Sequence, residues 1–352
     1  MKKYKNFILI LLVASVLAYI LFPILKPNTP KRTLRYSEVI ESPTLNALIP
    51  YGNSVEIKLV EETIAKYDSV TIQIDEQIVK YSSNLSLKIN SKDLLLGSKA
   101  GIVNLWKNGK VTEIGMPINI ISDYMPNVTN IIKIRKINKD PKAYTQGLEF
   151  YKGVLYESGG QYGESILRKI NHNTGQIIKS VAIDKNYFAE GLTILNDKIY
   201  LLTWKEREIL IYDLELNLID KKPLNTTTGE GWGICNDGNY LIVSDGSHQL
   251  NYINPQTFLV EKVIEVFGGN KAARYLNELE YANGNIYANI YTTNQIVVIE
   301  PHSGRILNIP ELQSIANENK DGEVLNGIAF NPESKTFYVT GKYWKNLYEI
   351  KM

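Results

Sequence analysis

Residues 144–159 read YTQGLEFYKGVLYESG, and residues 188–203 repeat the same pattern as FAEGLTILNDKIYLLT. Each stretch opens with a polar residue followed by Gly-Leu, continues as an apolar strand, turns at Lys-Gly or Asn-Asp, and returns as a second strand. Three further copies open at Trp232, Asn277 and Asn326, so that the five opening positions are 44, 42, 45 and 49 residues apart. A period of about 40–50 residues made of strands is typical of β-propeller blades with four strands each.

The five copies of this unit predict five blades. The last copy ends at Met352 after three strands, whereas an unassigned strand, IIKIRKI over residues 131–137, precedes the first copy. This strand can supply the missing outer strand of the last blade, which would close the ring and cover an exposed sheet edge. The sequence therefore predicts an all-β fold in which residues 129–352 form a five-bladed β-propeller.

Residues 36–128 carry a different pattern. Runs such as VEIKLV at 55–60 and VTIQI at 70–74 alternate apolar and polar side chains, and clusters of Gly, Asn, Asp and Ser separate them. Period-two alternation with frequent turns indicates an antiparallel sandwich. We expect a small immunoglobulin-like β-sandwich that serves as a spacer or docking module, and a linker over residues 27–35, which hold two prolines.

The N-terminus is predicted to be a membrane anchor or signal segment, residues 1–26. Lys2, Lys3 and Lys5 precede residues 7–25, a run of 19 residues without charge. About 20 apolar residues cross a bilayer, whereas a cleaved signal peptide has an apolar core of about 7–15, which favours an uncleaved anchor. Because the basic flank stays in the cytoplasm, the rest of the chain is expected to be extracytoplasmic, either anchored or secreted.

Composition narrows the range of partners and cofactors. The chain has 39 Lys and Arg against 37 Asp and Glu, a formal charge of +2, so nothing points to a nucleic-acid partner. The single cysteine, Cys235, excludes an intramolecular disulfide and a multi-cysteine metal site. No catalytic metal is expected, although carboxylates and carbonyls of a channel could hold a structural calcium ion.

Repeat phase also predicts a site, because the innermost strands of a propeller line its channel and equivalent residues meet around the axis. The first ring contains the unit-opening residues Gln146, Glu190, Trp232, Asn277 and Asn326. The second ring follows 12 to 16 residues later and contains Gly160, Trp204, Ser244, Tyr291 and Lys342. We expect both rings at one channel mouth.

A channel filled with ordered water would explain amide and serine side chains, since buried polar groups need partners. It explains less well why Trp204 and Trp232 accompany one carboxylate, Glu190, and one ammonium, Lys342. The residue types therefore favour a ligand-binding or catalytic site and leave the hydrated channel as an alternative.

The motifs at these positions resemble those of the plant and bacterial type of glutaminyl-peptide cyclotransferase. The similar segments run in order over about residues 131–352 and include YTQGL at 144–148, FAEGLT at 188–193, EGWG at 230–233, LNELE at 276–280 and TGKYW at 340–344. The resemblance implies an acyltransferase that cyclises the N-terminal glutamine of peptides or proteins to pyroglutamate and releases ammonia, without a catalytic metal or cofactor.

The resemblance also implies residue roles. Glu190 matches the catalytic acid/base, while Asn277 and Lys342 match groups that polarise the substrate amide. Two departures from the family pattern are Tyr291, where a third tryptophan is common, and Tyr144, where Phe is more usual; both keep an aromatic wall. The expected substrate-binding set is Gln146, Trp204, Trp232, Tyr144, Phe188, Tyr291 and Asn326.

Two other interpretations stay open at this point. A non-catalytic propeller would bind peptide N-termini or small ligands without releasing ammonia. A metal-dependent propeller of the lactonase type would need several channel carboxylates around one metal ion, whereas Glu190 is the only acid among the ten positions of the two rings.

Overall fold

The computed structural model describes residues 33–75, 77–81 and 86–352. The predicted anchor over residues 1–26 and most of the predicted linker lie outside these residues. Over the described part of the chain, none of the helices combines the length and the apolar character needed to cross a membrane.

Within its described residues, the N-terminal domain contains ten short strands. They are β1 (Ile40–Ser42), β2 (Leu48–Pro50), β3 (Ser54–Leu59), β4 (Ser69–Ile74), β5 (Gln77–Lys80), β6 (Leu87–Asn90), β7 (Gly97–Lys99), β8 (Gly101–Lys107), β9 (Lys110–Gly115) and β10 (Ile118–Ile121). Single helical turns lie at α1 (Tyr36–Val39) and α2 (Glu61–Ile64), with a 3₁₀ turn at Ser91–Asp93.

These strands form three sheets around one apolar core, with the orders β1-β3-β6, β5-β4-β8-β9 and β2-β10-β7. Strand β10 pairs parallel with β2 and antiparallel with β7. The predicted alternation is present: β3 buries Val55, Ile57 and Leu59 and exposes the residues between them. The core therefore forms from the period-two pattern of the sequence.

Two strands lead from this domain into the second half, β11 (Asn127–Thr129) and β12 (Ile132–Asn138). The first two blades are β13 (Thr145–Tyr151), β14 (Val154–Gly159), β15 (Ile166–Ile170) and β16 (Ile177–Ala182), then β17 (Ala189–Leu195), β18 (Lys198–Thr203), β19 (Glu208–Asp213) and β20 (Leu218–Pro223).

The third blade is β21 (Ile234–Asn236), β22 (Leu241–Ser244), β23 (Gln249–Ile253) and β24 (Val260–Glu265), followed by the hairpin β25 (Phe267–Gly268) and β26 (Lys271–Ala272). The fourth is β27 (Leu276–Ala282), β28 (Asn285–Ile290), β29 (Gln295–Ile299) and β30 (Ile306–Pro310), followed by helix α3 (Gln313–Asn317). The fifth contains β31 (Leu325–Asn331), β32 (Thr336–Gly341) and β33 (Asn346–Lys351).

The five blades form a closed ring. Inner strands β13, β17, β21, β27 and β31 contact one another in that order, and β31 also contacts β13. Strand β12 pairs antiparallel with β33 and completes the fifth blade, which confirms the closure predicted from residues 131–137. Strand β11 was not expected to pair: it adds in parallel to β30 and gives the fourth blade a fifth strand.

The turns between the first two strands of each blade explain why Asn, Asp and Gly recur in the sequence repeat. Lys152-Gly153, Asn196-Asp197 and Asn283-Gly284 all have positive φ angles, between 48° and 78°. Two consecutive residues in this region make the type I′ turn that matches the twist of a tight hairpin, and Asn, Asp and Gly adopt it most readily. The recurring Asn, Asp and Gly residues are therefore required by the backbone.

Inner strands pack closely because a glycine usually follows the opening residue of each unit. A Cβ atom on Gly191 would lie 2.8 Å from the backbone of Gly233. Blade four has Glu278 at this position instead, and its buried carboxylate accepts the backbone N–H groups of Leu148, at 3.1 Å, and Ile328, at 2.8 Å. Glu278 thus ties blade four to blades one and five.

The N-terminal domain packs against the boundary of blades three and four. Phe267 contacts the apolar core of that domain, and the Ser122 N–H donates to the Gly269 carbonyl at 3.0 Å. Arg305 pairs with Asp123 at 3.0 Å and lies 5.2 Å from the centre of the Tyr51 ring. The two domains are therefore joined by apolar, ionic and backbone contacts.

Glu280, on inner strand β27, is buried, and its Oε2 atom has no hydrogen-bond partner among the described residues. Burial raises the pKa of Glu280 well above its usual value, and the nearby Glu149 carboxyl adds to the effect. Burial likewise raises the pKa of Glu149, to about 8. At neutral pH the folded chain therefore holds protons that the unfolded chain releases.

This proton uptake predicts a pH-dependent gain in stability for Glu280→Gln. Because the folded-state pKa lies above the unfolded one, the contribution of Glu280 to the stability of the natural chain falls as pH rises above about 4.5. The neutral amide removes this cost, so we expect a Tm gain that is larger at pH 8 than at pH 5 by about 2–8 °C, or roughly 1–3 kcal/mol. Thermal unfolding followed by circular dichroism measures it, and equal gains at both pH values would contradict it.

Candidate active site

The two predicted rings meet at one end of the channel, around a pocket of about 180 Å³. The first ring lies where the inner strands begin, and the second ring lies at or just after the end of the second strand of each blade. This volume is below the roughly 300–1,000 Å³ of sites for drug-sized ligands, so it suits a single amino-acid side chain. The pocket is lined by Tyr144, Gln146, Gln161, Phe188, Glu190, Trp204, Trp232, Asn277, Tyr291 and Lys342.

Asn326 belongs to the predicted substrate-binding set but does not line this pocket. It is buried behind Gln146, where its amide nitrogen donates to the Thr145 carbonyl at 3.0 Å and to Gln146 Oε1 at 3.2 Å. Asn326 therefore supports Gln146 from the neighbouring blade.

Two members of the second ring also support the pocket from behind. The Ser244 hydroxyl donates to the Asn277 carbonyl at 2.6 Å and accepts the Gly233 N–H at 2.8 Å, which links blades three and four below the pocket. The Phe188 ring fills the space in which a side chain on Gly160 would lie. Glycine is therefore required there if Phe188 is to reach the pocket wall.

Five aromatic rings, Tyr144, Phe188, Trp204, Trp232 and Tyr291, form an aromatic belt around the pocket. The ring centres of Tyr144 and Phe188 are 6.2 Å apart, and those of Phe188 and Trp204 are 5.5 Å apart. Trp232 and Tyr291 meet edge to face, also at 5.5 Å. Such edge-to-face packing is favourable between aromatic rings and gives the wall a defined shape.

Charged groups close the two gaps in the aromatic belt. Lys342 Nζ lies 4.5 Å from the centre of the Tyr144 ring and 4.7 Å from that of Tyr291. On the other side, Glu230 Oε2 accepts the indole N–H of Trp204 at 2.8 Å and that of Trp232 at 2.9 Å. The belt is thus continuous around the pocket, with a cation on one side and an anion on the other.

Glu190 is a buried carboxyl group that faces this pocket. Burial raises the pKa of Glu190 well above its usual value; Lys342 opposes the shift, whereas Glu230 and Glu206 add to it. Burial also lowers the pKa of Lys342, and Glu190 and Glu323 oppose that shift. Shifted pKa values of several side chains in one cleft are characteristic of catalytic groups, because efficient proton transfer needs a pKa near the working pH.

Asn277 presents its amide to the same pocket. Its Oδ1 atom is buried and has no hydrogen-bond partner among the described residues. A buried polar group without a partner is uncommon in a folded protein. The unpaired oxygen is an acceptor that can receive an N–H group of a bound molecule, and the N–H₂ group of the same amide can donate to a carbonyl oxygen.

Three residues with parts in the site were not assigned from the sequence. Gln161 lines the pocket next to the ring position Gly160. Glu230 holds the two indoles, and Glu206 accepts the Tyr162 hydroxyl at 2.7 Å beside Phe188. In the sequence, the one feature that points to Glu206 and Glu230 is their position, since each lies two residues from a tryptophan of the predicted rings.

Comparisons with known proteins identify the family of this chain. The glutamine cyclotransferase family model matches residues 109–352, which begins inside the N-terminal domain. A glutaminyl-peptide cyclotransferase of Arabidopsis thaliana is 37% identical over 238 residues, covering 65% of this chain and 73% of the relative. The crystal structure of a Myxococcus xanthus glutaminyl cyclase superposes with a TM-score of 0.58 at 31% identity, over 64% of this chain and 97% of the other.

The β-propeller fold and these matches define an enzyme of the acyltransferase class. The chain belongs to the glutamine cyclotransferase family.

Proposed function

We propose that the chain cyclises the N-terminal glutamine of peptides or proteins to pyroglutamate and releases ammonia, with Glu190, Asn277 and Lys342 as its catalytic residues. The observation that carries the assignment is the convergence of the buried Glu190 carboxyl, the buried Lys342 ammonium and the Asn277 amide inside a continuous aromatic belt. Family membership supports the reaction class.

The pocket size suggests how the substrate is held. The glutamine side chain enters between the indoles of Trp204 and Trp232, and the α-amine stays at the pocket near Glu190. Because nucleophile and electrophile belong to the same residue, the enzyme needs only to hold the folded rotamer in which the amine lies against the amide carbon. Gln146, whose Oε1 is held by Asn326, is placed to receive the polar end of the substrate.

Bond making begins when the neutral α-amine attacks the side-chain amide carbon. A C–N bond forms, the C=O oxygen takes up negative charge, and the amine nitrogen becomes acidic. Glu190 accepts the proton that this nitrogen loses. The raised pKa of Glu190 makes it a stronger base than an exposed carboxylate would be.

Charge on the oxygen is stabilised by Lys342 and the Asn277 amide. Donors placed in advance at a developing oxyanion typically change the rate by about 10²–10³ each. Collapse of the tetrahedral intermediate breaks the bond to the side-chain nitrogen, and Glu190 returns its proton to that nitrogen. The products are the five-membered lactam and one molecule of ammonia, so the protons balance without water.

A direct assay tests this proposal. The full chain is incubated with a glutamine-initiated peptide, with and without a chelator, and released ammonia is measured. We expect ammonia in both arms and a pyroglutamyl product lighter by one ammonia in mass spectrometry. Binding of the peptide without ammonia release would support the non-catalytic alternative, and activity lost on chelation and restored by a metal ion would contradict metal-free catalysis.

The possible structural calcium ion remains a prediction. The same chelator arm tests it through stability, because a bound ion that is removed lowers Tm by mass action. A chelator that leaves Tm unchanged would argue against such an ion.

We further infer that residues 36–128 form an immunoglobulin-like sandwich outside the cytoplasm, tethered by residues 7–25. The orders β1-β3-β6 and β5-β4-β8-β9, with β10 parallel to β2 beside them, support an immunoglobulin-like arrangement. The apolar run and its basic flank support the anchor and its orientation. Cell fractionation with protease accessibility of the propeller tests both the tether and the compartment.

A further inference from the structure

Glu230 connects two blades through a single atom. Trp204 follows β18 in blade two, whereas Trp232 precedes β21 in blade three. Both indole N–H groups donate to the same Glu230 oxygen, at 2.8 and 2.9 Å. Each ring also packs on a further aromatic residue, so the Glu230 carboxylate joins two aromatic pairs into one belt.

The loop that carries Glu230 is itself fixed. The Thr226 hydroxyl donates to the Glu230 carbonyl at 2.6 Å, and the Glu230 N–H donates to the Thr228 hydroxyl at 3.3 Å. The Thr228 N–H in turn donates to the Asp245 carboxylate at 3.1 Å. The carboxylate therefore projects from a loop anchored to blade three.

We propose that Glu230 is a positioning residue that sets the angle between the Trp204 and Trp232 indoles and thereby selects the reactive rotamer of the bound glutamine. The inference rests on the proposed function. Hydrogen bonds to an ionised acceptor are roughly twice as strong as neutral ones, so the shared carboxylate resists rotation of either ring. Misplacement of reacting groups by about 1 Å can cost 10²-fold in rate.

Glu230 also acts on Glu190 through its charge. After burial and the opposing effect of Lys342, Glu230 and Glu206 are the remaining groups that raise the pKa of Glu190. Tyr144, which lines the pocket, and Tyr162, on the Phe188 ring, also interact electrostatically with Glu190. The two effects of Glu230 are separable, because glutamine keeps an oxygen acceptor for the indoles but removes the charge.

The test compares Glu230→Ala with Glu230→Gln in the full chain, using ammonia release from a glutamine-initiated peptide across pH. We expect kcat/KM to fall about 30–100-fold in the alanine variant. The glutamine variant should stay within about fivefold of the natural chain at its own optimum, with the acid limb of its pH profile moved to lower pH. Glu215→Ala, an exposed carboxylate in the turn between β19 and β20, is the matched control.

A double-mutant cycle guards against a merely structural effect of the alanine variant. In Trp204→Phe/Trp232→Phe a phenyl ring replaces each indole and the N–H donors are gone, so Glu230→Ala should then lower kcat/KM by less than about threefold. A full 30–100-fold loss in that background would mean that Glu230 acts without the indoles and would overturn the proposal. Circular dichroism melts establish that each variant is folded.

Other results of these experiments would also overturn or support the proposed role of Glu230. Glu230→Ala activity within twofold of the natural chain overturns the positioning role, as does a glutamine variant as impaired as the alanine variant at every pH. If the alanine variant does not fold, the glutamine variant and the phenylalanine pair still test the proposal, since glutamine keeps the volume of glutamate and phenylalanine keeps an aromatic ring at each position. A natural chain that releases no ammonia contradicts the proposed function instead, so the two failures are distinguishable.

Discussion

Glu190→Gln is expected to lower kcat by about 10²–10⁴-fold, the range that general acid–base catalysis contributes. The amide has the shape of the carboxyl group but can neither accept the proton of the attacking amine nor deliver it to ammonia. Stability should be unchanged or slightly higher, because burial already disfavours the charged form of Glu190. Ammonia release at saturating peptide measures the loss, and a thermal melt confirms the fold.

Glu280→Gln is the matched control for this experiment. Glu280 is also a buried inner-strand carboxyl with a raised pKa, but it does not line the pocket. Its substitution should leave kcat within about threefold. A Glu190→Gln enzyme that keeps more than a tenth of the natural kcat would remove Glu190 from the chemistry.

Lys342→Met is expected to lower kcat by about 10²–10³-fold, with a smaller effect on KM. Methionine keeps an unbranched apolar side chain between the Tyr144 and Tyr291 rings and removes the ammonium that would face the developing oxyanion. The pH profile gives a second readout. Lys342 opposes the rise in the pKa of Glu190, so its loss should move the acid limb of kcat/KM to higher pH.

The control for this variant is Lys345→Met, three residues away. Lys345 is exposed and pairs with Asp321 at 3.0 Å on the surface, where ion pairs contribute little. Its substitution should change neither kcat nor the pH profile. A Lys342→Met enzyme with an unaltered acid limb would show that Lys342 and Glu190 do not interact in the working site.

The propeller could be predicted from the sequence because each blade is specified by a short local pattern of residues, and this pattern repeats five times. Each unit needs an opening motif, two strands and a turn with positive φ, so the same residue types recur at the same phase. Convergence of Glu190, Asn277 and Lys342 follows from that phase, since the inner strands begin at one mouth. The closing strand β12 was predictable because a blade of three strands leaves an open edge.

Other features could not be predicted from the sequence, because they depend on contacts between blades that do not recur with the repeat. Asn326 occupies a ring position, yet its side chain bonds to Gln146 and lies behind the pocket. Glu230 lies outside both rings, and its role appears only when Trp204 and Trp232 are placed around one oxygen atom. The pairing of β11 with β30 was not predictable because three residues carry too little pattern to choose a partner.

The antiparallel pairing of β12 with β33 has a consequence for biosynthesis. It joins residues 132–138 to residues 346–351, so β12, which leaves the ribosome before blade one, must wait for β33, which follows all the other strands described. Blades one to four can form in order as they emerge, whereas the ring of blades can close only after β33 has left the ribosome. A polypeptide that lacked residues 346–351 would leave β12 without its partner, and the unfinished propeller would expose an unpaired strand edge to other chains.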